Sequence, residues 1–255
     1  MEVKLFQVYG ELTALEESRG PGARHLGIAP GGAFARDCAE VAAALLPQGE
    51  SYELANGSAQ LLAGESLSVA VVGAGGFQGR RTLRQGEALR LGPTHPGFRL
   101  VFRVGPPIGA DLELAALPSS VEDLNAPTRV LPFVPAQGLH AEGVWKVTHD
   151  TNRAAIKLSG NRLDYPGEGR SRPCTFGSIQ LLPSGDLLVH GPDGPTVGGY
   201  PVAGTIVSTR LAHLAQAAPG AEVELVPVTL DEALAMARED QLQLRRLTTQ
   251  LKLIN

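Results

Sequence analysis

The sequence predicts a mainly β protein with a few helices, arranged as two strand-rich halves. Three observations carry that prediction. Short apolar runs recur at roughly 8–12 residues with turn signals between them, the spacing of a sandwich or barrel. The 31 glycines and 19 prolines are scattered as punctuation rather than clustered, so the chain turns often without reading as disordered. Only three stretches have the composition or apolar spacing of helices.

Taken in order, Val3 to Tyr9 alternates and reads as a first strand. Phe34 to Leu46 is alanine-rich with apolar positions at helical spacing, and Pro47 and Gly49 end it. From Tyr52 to Val104 a meander follows: Tyr52–Leu54, Gln60–Leu62, Leu67–Val72, Arg80–Leu83, Ala88–Leu91 and Phe98–Val104. Asn56-Gly57, Gly64-Glu65, Gln85-Gly86-Glu87 and Gly92-Pro93 are the turns expected between them. Gly105 to Pro127 is poorest in regular pattern and reads as the connection between halves, giving expected domains at 1–125 and 126–255. The second half offers strands at 129–134, 143–148, 154–158, 178–182, 187–189, 205–208 and 222–226. Leu211 to Ala217 reads as a short helix, and Thr229 with Glu232 has the spacing of a capping box opening a surface helix from about Leu230 to about Lys252. Both halves are strand-rich with a helix or two, but no identical repeat is visible.

Composition excludes several classes of function. Hydrophobic residues make up 43% and charged ones 19%, the balance of a soluble globular chain. A net charge of −4 leaves no footprint for nucleic acid or an anionic membrane. No apolar run reaches the roughly 18 residues of a spanning helix, and Met1 to Phe6 is no secretory leader, so a cytoplasmic protein is expected. Cys38 and Cys174 have no neighbouring Cys or His at zinc spacing, so they are expected to be reduced, buried thiols and no metal site is expected.

Candidate chemistry is sparse. Val71 to Gly79 leads a strand into glycines, but Gln78 stands where a dinucleotide turn needs its third glycine, and a hairpin follows rather than a helix. The chain has no P-loop, no His-Glu-x-x-His and no Gly-x-Ser-x-Gly. The six histidines are dispersed, and each singly reads as an ordinary surface or hydrogen-bonded residue. His25 differs: it lies in a glycine-rich loop, Pro21 to Ala33, ahead of a helix N-terminus. There Arg24 and Arg36 can meet an anion, or the loop can simply cap the helix. Arg153 can likewise bind a carboxylate or form a structural ion pair.

The most informative stretch is Gly177 to Pro201. Gln180 ends one apolar run, Pro183 to Asp186 turns, and Leu187 to His190 forms a second run. A loop with Asp193, Thr196, Gly198, Gly199, Tyr200 and Pro201 follows. Adjacent glycines let backbone approach a ligand closely, and Tyr200 adds a ring with a polar tip.

These residues resemble the loop of the family known as KipA, allophanate hydrolase subunit 2 or the C component of 5-oxoprolinase, which is biotin-dependent-carboxyltransferase-like. The chain keeps Gly177, Ile179, Gln180, Pro183, Gly185, Asp193, Thr196, Gly198, Gly199, Tyr200 and Pro201 of that pattern, with Pro195 and Val197 replacing a Gln and a Thr. Pro21, Gly22, Arg24, Gly27, Pro30, Gly32 and Ala33 match its N-terminal loop. Arg153, Leu158 and Gly160 match a third motif, and the run from Thr205 to Val223 resembles its C-terminal region.

The resemblance implies two related cyclophilin-like β-barrel units and a groove lined by Arg24, Arg153, Gln180, Thr196, Gly198, Gly199 and Tyr200 that holds a small carboxylate or amide, with Asp193 as base or proton relay. It implies one subunit of a 5-oxoprolinase-like or urea-carboxylase-like complex, inactive alone, beside a KipI-like partner (allophanate hydrolase subunit 1) and a lactam-utilisation subunit. ATP or carboxybiotin would reach it through that complex. The other implied reading is a non-catalytic regulator that sequesters a KipI-like kinase inhibitor.

Overall fold

The computed structural model describes residues 2–15, 21–73, 78–92, 99–114, 130–167 and 169–254. The glycines expected to connect strands at 74–77, Pro93 of an expected turn, and most of the expected connection at 105–127 lie outside the described residues. The chain forms two compact units. One comprises Met1–Glu16, Ala35–Pro127 and Gln241–Asn255, and the other Glu17–Phe34 and Thr128–Asp240.

The first unit is an antiparallel sheet. Its strands are β1 (Val3–Leu15), β2 (Glu50–Ala63), β3 (Leu67–Gly73), β4 (Gly79–Leu83), β5 (Ala88–Leu91), β6 (Arg99–Gly105) and β7 (Leu112–Glu113). They lie in the order β1-β2-β6-β3-β4-β7, with β5 also on β2. Asn56-Gly57 is not the expected hairpin turn but a kink inside one long strand. The first half of β2 pairs with β6 and the second half with β5, while β1 follows it throughout with two register shifts. Asn56 has φ +56°, and a Cβ on Gly57 would stand 1.7 Å from the Tyr9 carbonyl oxygen, so the glycine is required by the closeness of β1.

Helix α1 (Arg36–Leu45) packs on β3 and β6 through Cys38, Val41, Ala42, Ala44 and Leu45. It has no side-chain cap of its own. Glu53 of β2 accepts from the Ala35 N–H at 3.2 Å. Arg80 donates to the Leu45 carbonyl, and Arg103 donates to those of Leu46 and Pro47. The sheet therefore supplies a carboxylate at the helix N-terminus and guanidinium groups at its C-terminus, the arrangement its dipole favours. Glu53 thus supplies a carboxylate at this helix start, where the sequence left open an anion site or a capping turn.

The second unit contains β8 (Val130–Pro135), β9 (Gly143–Thr151), β10 (Ala155–Gly160), β11 (Arg172–Pro173), β12 (Ser178–Leu181), β13 (Leu187–His190), β14 (Val197–Gly198), β15 (Val202–Ile206) and β16 (Glu222–Pro227), with α2 at Leu211–Ala215. Seven of these close a barrel, β10-β13-β12-β15-β8-β16-β9, which leaves no free edge in that sheet. Alternation in sequence becomes burial: Leu131 and Phe133, Trp145 and Val147, Ile156 and Leu158, Ile179 and Leu181, Leu187 and Val189, Val223 and Leu225 all point into one core. Each such side chain contributes about 1.5–3 kcal/mol on leaving water. Trp145 satisfies its indole N–H on the Ala141 carbonyl at 2.8 Å.

Phe34, expected to begin the first helix, instead lies in this core and meets Phe176 edge to face at 5.5 Å. Phe34 thereby ties the end of the front loop into the second unit. The last helix, α3 (Leu230–Leu253), opens on the expected capping box: Thr229 Oγ1 accepts from the Glu232 N–H, and Glu232 accepts from the Thr229 N–H at 2.8 Å. Among the described residues no helix is long and apolar enough to cross a membrane.

Candidate functional site

All the residues of the implied groove belong to the barrel unit, including the front loop that carries Arg24. The loop passes through a 3-10 turn at Pro21–Leu26 and is tied to the barrel by Gly31 N–H on the Pro192 carbonyl and by Arg153 on the Gly32 carbonyl. Arg153 stands in the turn between β9 and β10, where Asn152 Oδ1 accepts from the Ala154 and Ala155 N–H groups and fixes the bend. From there its guanidinium meets Asp193 through two bonds, Nε–Oδ2 at 2.7 Å and Nη2–Oδ1 at 3.1 Å. The Arg153 carbonyl also accepts from the Asp193 N–H. Both oxygens of Asp193 are thus engaged by the residue expected to hold substrate, and together they clamp three segments: the front loop, the β9–β10 turn and the loop after β13.

The second cluster centres on Gln180, which is 2% exposed. Its amide nitrogen donates to the Tyr200 carbonyl at 3.4 Å and approaches Cys174 Sγ at 3.3 Å. Because the Tyr200 carbonyl needs a donor, Gln180 Oε1 must face His190 Nε2, 2.8 Å away. His190 therefore carries its proton on Nε2, and its Nδ1 presents a lone pair. Burial, and after it the charge of Arg24, push His190 down to about 4, so the ring is neutral at ordinary pH. Burial likewise pushes the Cys174 thiol up, with Arg24 opposing. Arg24 Nη2 and His190 Nδ1 are buried without a hydrogen-bond partner among the described residues, one a donor and the other an acceptor.

The glycine pair divides in role. A Cβ on Gly198 would stand 2.7 Å from Gln180 Nε2 and 3.1 Å from Cys174 Sγ, so the cluster requires glycine there. A Cβ on Gly199 would meet nothing closer than 3.5 Å. Thr196 is buried, and its carbonyl accepts from the Cys174 N–H at 2.8 Å. Beyond Gly199, Tyr200 and Pro201 opens a cleft of about 330 Å³, lined also by Leu139, Arg170 and Arg172. Arg172 is paired with Gly198 across β11 and β14, and Gly169 N–H bonds the Gly199 carbonyl.

The structure thus gathers Arg24, Gln180, Thr196, Gly198 and Tyr200 around one buried hydrogen-bonded cluster, and sets Arg153 with Asp193 in a separate clamp. Sequence reasoning missed His190, Cys174, Arg170 and Arg172. Two arginines flanking a serine just after Pro166–Gly169 were the available signal for the last two. His190 gave none, since its importance comes from a neighbour ten residues away. Among the described residues no three His, Cys, Asp or Glu side chains are grouped to hold a metal ion.

Comparison with known proteins agrees with the motifs. Residues 58–227 match the family described as carboxyltransferase domain, subdomain A and B. The C component of 5-oxoprolinase from Haemophilus influenzae is 31% identical over 108 residues, 40% of this chain and 35% of that protein. Its Escherichia coli counterpart is 32% identical over 99 residues, 38% of this chain and 32% of that protein. The chain thus spans about a third of the length of the curated relatives it matches. The crystal structure of Kluyveromyces lactis urea carboxylase shares the fold, with a TM-score of 0.77 at 15% identity over 94% of this chain and 28% of that one. With more than half of its residues inside the family match and a closed barrel carrying the Gln180 and Gly-Gly-Tyr-Pro motifs, the chain belongs to the carboxyltransferase domain family of subdomains A and B.

Proposed function

We propose that the chain is one subunit of an amide- or lactam-processing complex, working on a small carboxylate- or amide-bearing substrate beside a KipI-like partner (allophanate hydrolase subunit 1). The observation that carries this reading is the buried Gln180 cluster placed directly behind the Gly198-Gly199-Tyr200-Pro201 loop, with a ligand-sized cleft in front of it. Gln180 is taken up by the Tyr200 carbonyl and by His190, so the cluster fixes the loop that walls the cleft. Among the described residues Cys174 is no ready nucleophile, because burial holds its thiol in the protonated form. ATP or carboxybiotin would enter with other subunits, because the chain carries neither a P-loop nor a biotin-accepting Met-Lys-Met.

The test is reconstitution. The purified chain is mixed with KipI-like and lactam-utilisation subunits and ATP, and ring opening of 5-oxoproline is followed. Activity that requires this chain supports the proposal; absence of both association and ring opening refutes it.

A second reading has its own support. Asp193, expected as base or relay, has both oxygens on Arg153, as a scaffold residue of a binding or regulatory protein would. Capture of a KipI-like protein by a chain that makes no contribution to turnover would favour that reading.

A further inference from the structure

We propose that the cleft beside Gly199 and Tyr200 is a carboxylate pocket in which Arg170 and Arg172 receive the anion. The inference rests on the reading above for the choice of probe, not for the chemistry of the pocket. It begins from where the cations are. Arg153 is committed to Asp193 and to the Gly32 carbonyl, and Arg24 stands in the buried cluster with His190 and Cys174. Arg170 and Arg172 both line the cleft, both are exposed, and neither guanidinium has an ion-pair or hydrogen-bond partner among the described residues. No described residue lining the cleft is acidic. Glu168 lies outside the described residues and takes no part in the proposal.

The backbone beneath the arginines is held at both ends. Arg172 and Pro173 pair with Gly198 and Val197, and Gly169 N–H is bonded to the Gly199 carbonyl. Arg170 lies in a bend just ahead of β11 and Arg172 opens that strand, and both residues line the same cleft. Two planar donor forks presented together match the oxygens of a carboxylate. The other walls are Leu139, Pro166, Pro201 and the partly exposed Tyr200 ring, which suit a compact apolar or cyclic body. At about 330 Å³ the cleft falls at the small end of ligand sites. The ligand class is a small carboxylic acid whose anion meets the arginines and whose ring or short chain lies on Tyr200.

The experiment titrates the full chain with three probes: 5-oxoproline, glutarate, and 2-pyrrolidinone, which is the lactam ring without a carboxylate. Wild type and the Arg170→Gln/Arg172→Gln variant are compared by calorimetry or amide chemical shifts. Since both side chains are exposed, the variant should keep its circular dichroism and thermal midpoint. We expect a carboxylate probe to bind wild type at least tenfold more tightly than 2-pyrrolidinone, and the double variant to lose about 10- to 100-fold of that affinity, the range for losing a charge-assisted bond. Equal affinity of variant and wild type, equal affinity for acid and neutral ring, or no carboxylate binding to wild type would each overturn the inference. So would a variant defect seen only in capture of a KipI-like protein, which would make the arginines a protein contact. Ring opening that survives unchanged in the double variant sinks the pocket but leaves the proposed function standing. Carboxylate binding by a chain that supports no ring opening does the reverse.

Discussion

The clamp between Arg153 and Asp193 gives the sharpest prediction, because it separates a scaffold residue from a catalytic one. Arg153 is 11% exposed and Asp193 45% exposed. Two charge-assisted bonds in that half-open setting should couple by about 1 kcal/mol, between the exposed-pair range of roughly 0–1 and the 1.5–3 of buried charged bonds. Arg153→Ala also removes the bond to the Gly32 carbonyl and leaves the packed stem of the side chain unreplaced. Its total cost should be about 2–3 kcal/mol, a fall of roughly 5–10 °C in thermal midpoint. Asp193→Asn keeps one acceptor oxygen and should cost under about 1 kcal/mol. The assay is a double-mutant cycle by thermal or urea unfolding, run beside ring opening by the reconstituted complex. We expect coupling near 1 kcal/mol and Asp193→Asn turnover within about threefold of wild type. Zero coupling, or abolished turnover with an unmoved midpoint, would refute the clamp and restore Asp193 as the proton relay.

Three further outcomes are expected. Gly198→Ala should destabilise by about 1–3 kcal/mol, since its Cβ would stand 2.7 Å from Gln180 Nε2, whereas Gly199→Ala should be near neutral; equal effects in urea denaturation would contradict this steric account. His190 is lowered from 6.5 to about 4, so the unfolded chain binds its proton first and stability is lost as pH falls from about 6.5 toward 4. The difference between wild type and His190→Gln should therefore shrink by up to about 3 kcal/mol over that window, and a difference independent of pH would contradict it. Glu53, 1% exposed, pairs with buried Arg99 and caps Ala35, so Glu53→Ala should cost about 3–5 kcal/mol in thermal unfolding; a loss below about 1 kcal/mol would mean that Arg99 finds another partner.

Much of this protein was legible in its residues. Period-two alternation at 131 and 133, 145 and 147, 156 and 158, and 187 and 189 marked the barrel strands, because a strand with one buried face must alternate. Thr229 and Glu232 marked the start of the last helix, because the capping box is satisfied within four residues. The motifs around Gln180 and Tyr200 identified the family. Local rules failed where a distant partner decided. Asn56-Gly57 carries a hairpin signal, yet the length of β1 alongside makes it a kink in a continuous strand. Strands β7, β11 and β14, two residues each, exist only through their partners across the sheet. Phe34 reads as helical by its neighbours and is claimed by the core around Trp145.

Composition and spacing by themselves determined that the chain is β-rich and where its final helix begins, and resemblance to a known motif singled out the loop from Gly177 to Pro201. These are properties of short segments, in which backbone hydrogen bonds and apolar period are set by adjacent residues. Only the tertiary structure decided that Arg153 answers to Asp193, that His190 is buried and neutral between Gln180 and Arg24, and that Arg170 and Arg172 face an open cleft. Charge and hydrogen-bond partners act through a few ångströms of space, and residues 24, 153, 180 and 193 come within that reach of their partners only once the barrel has closed.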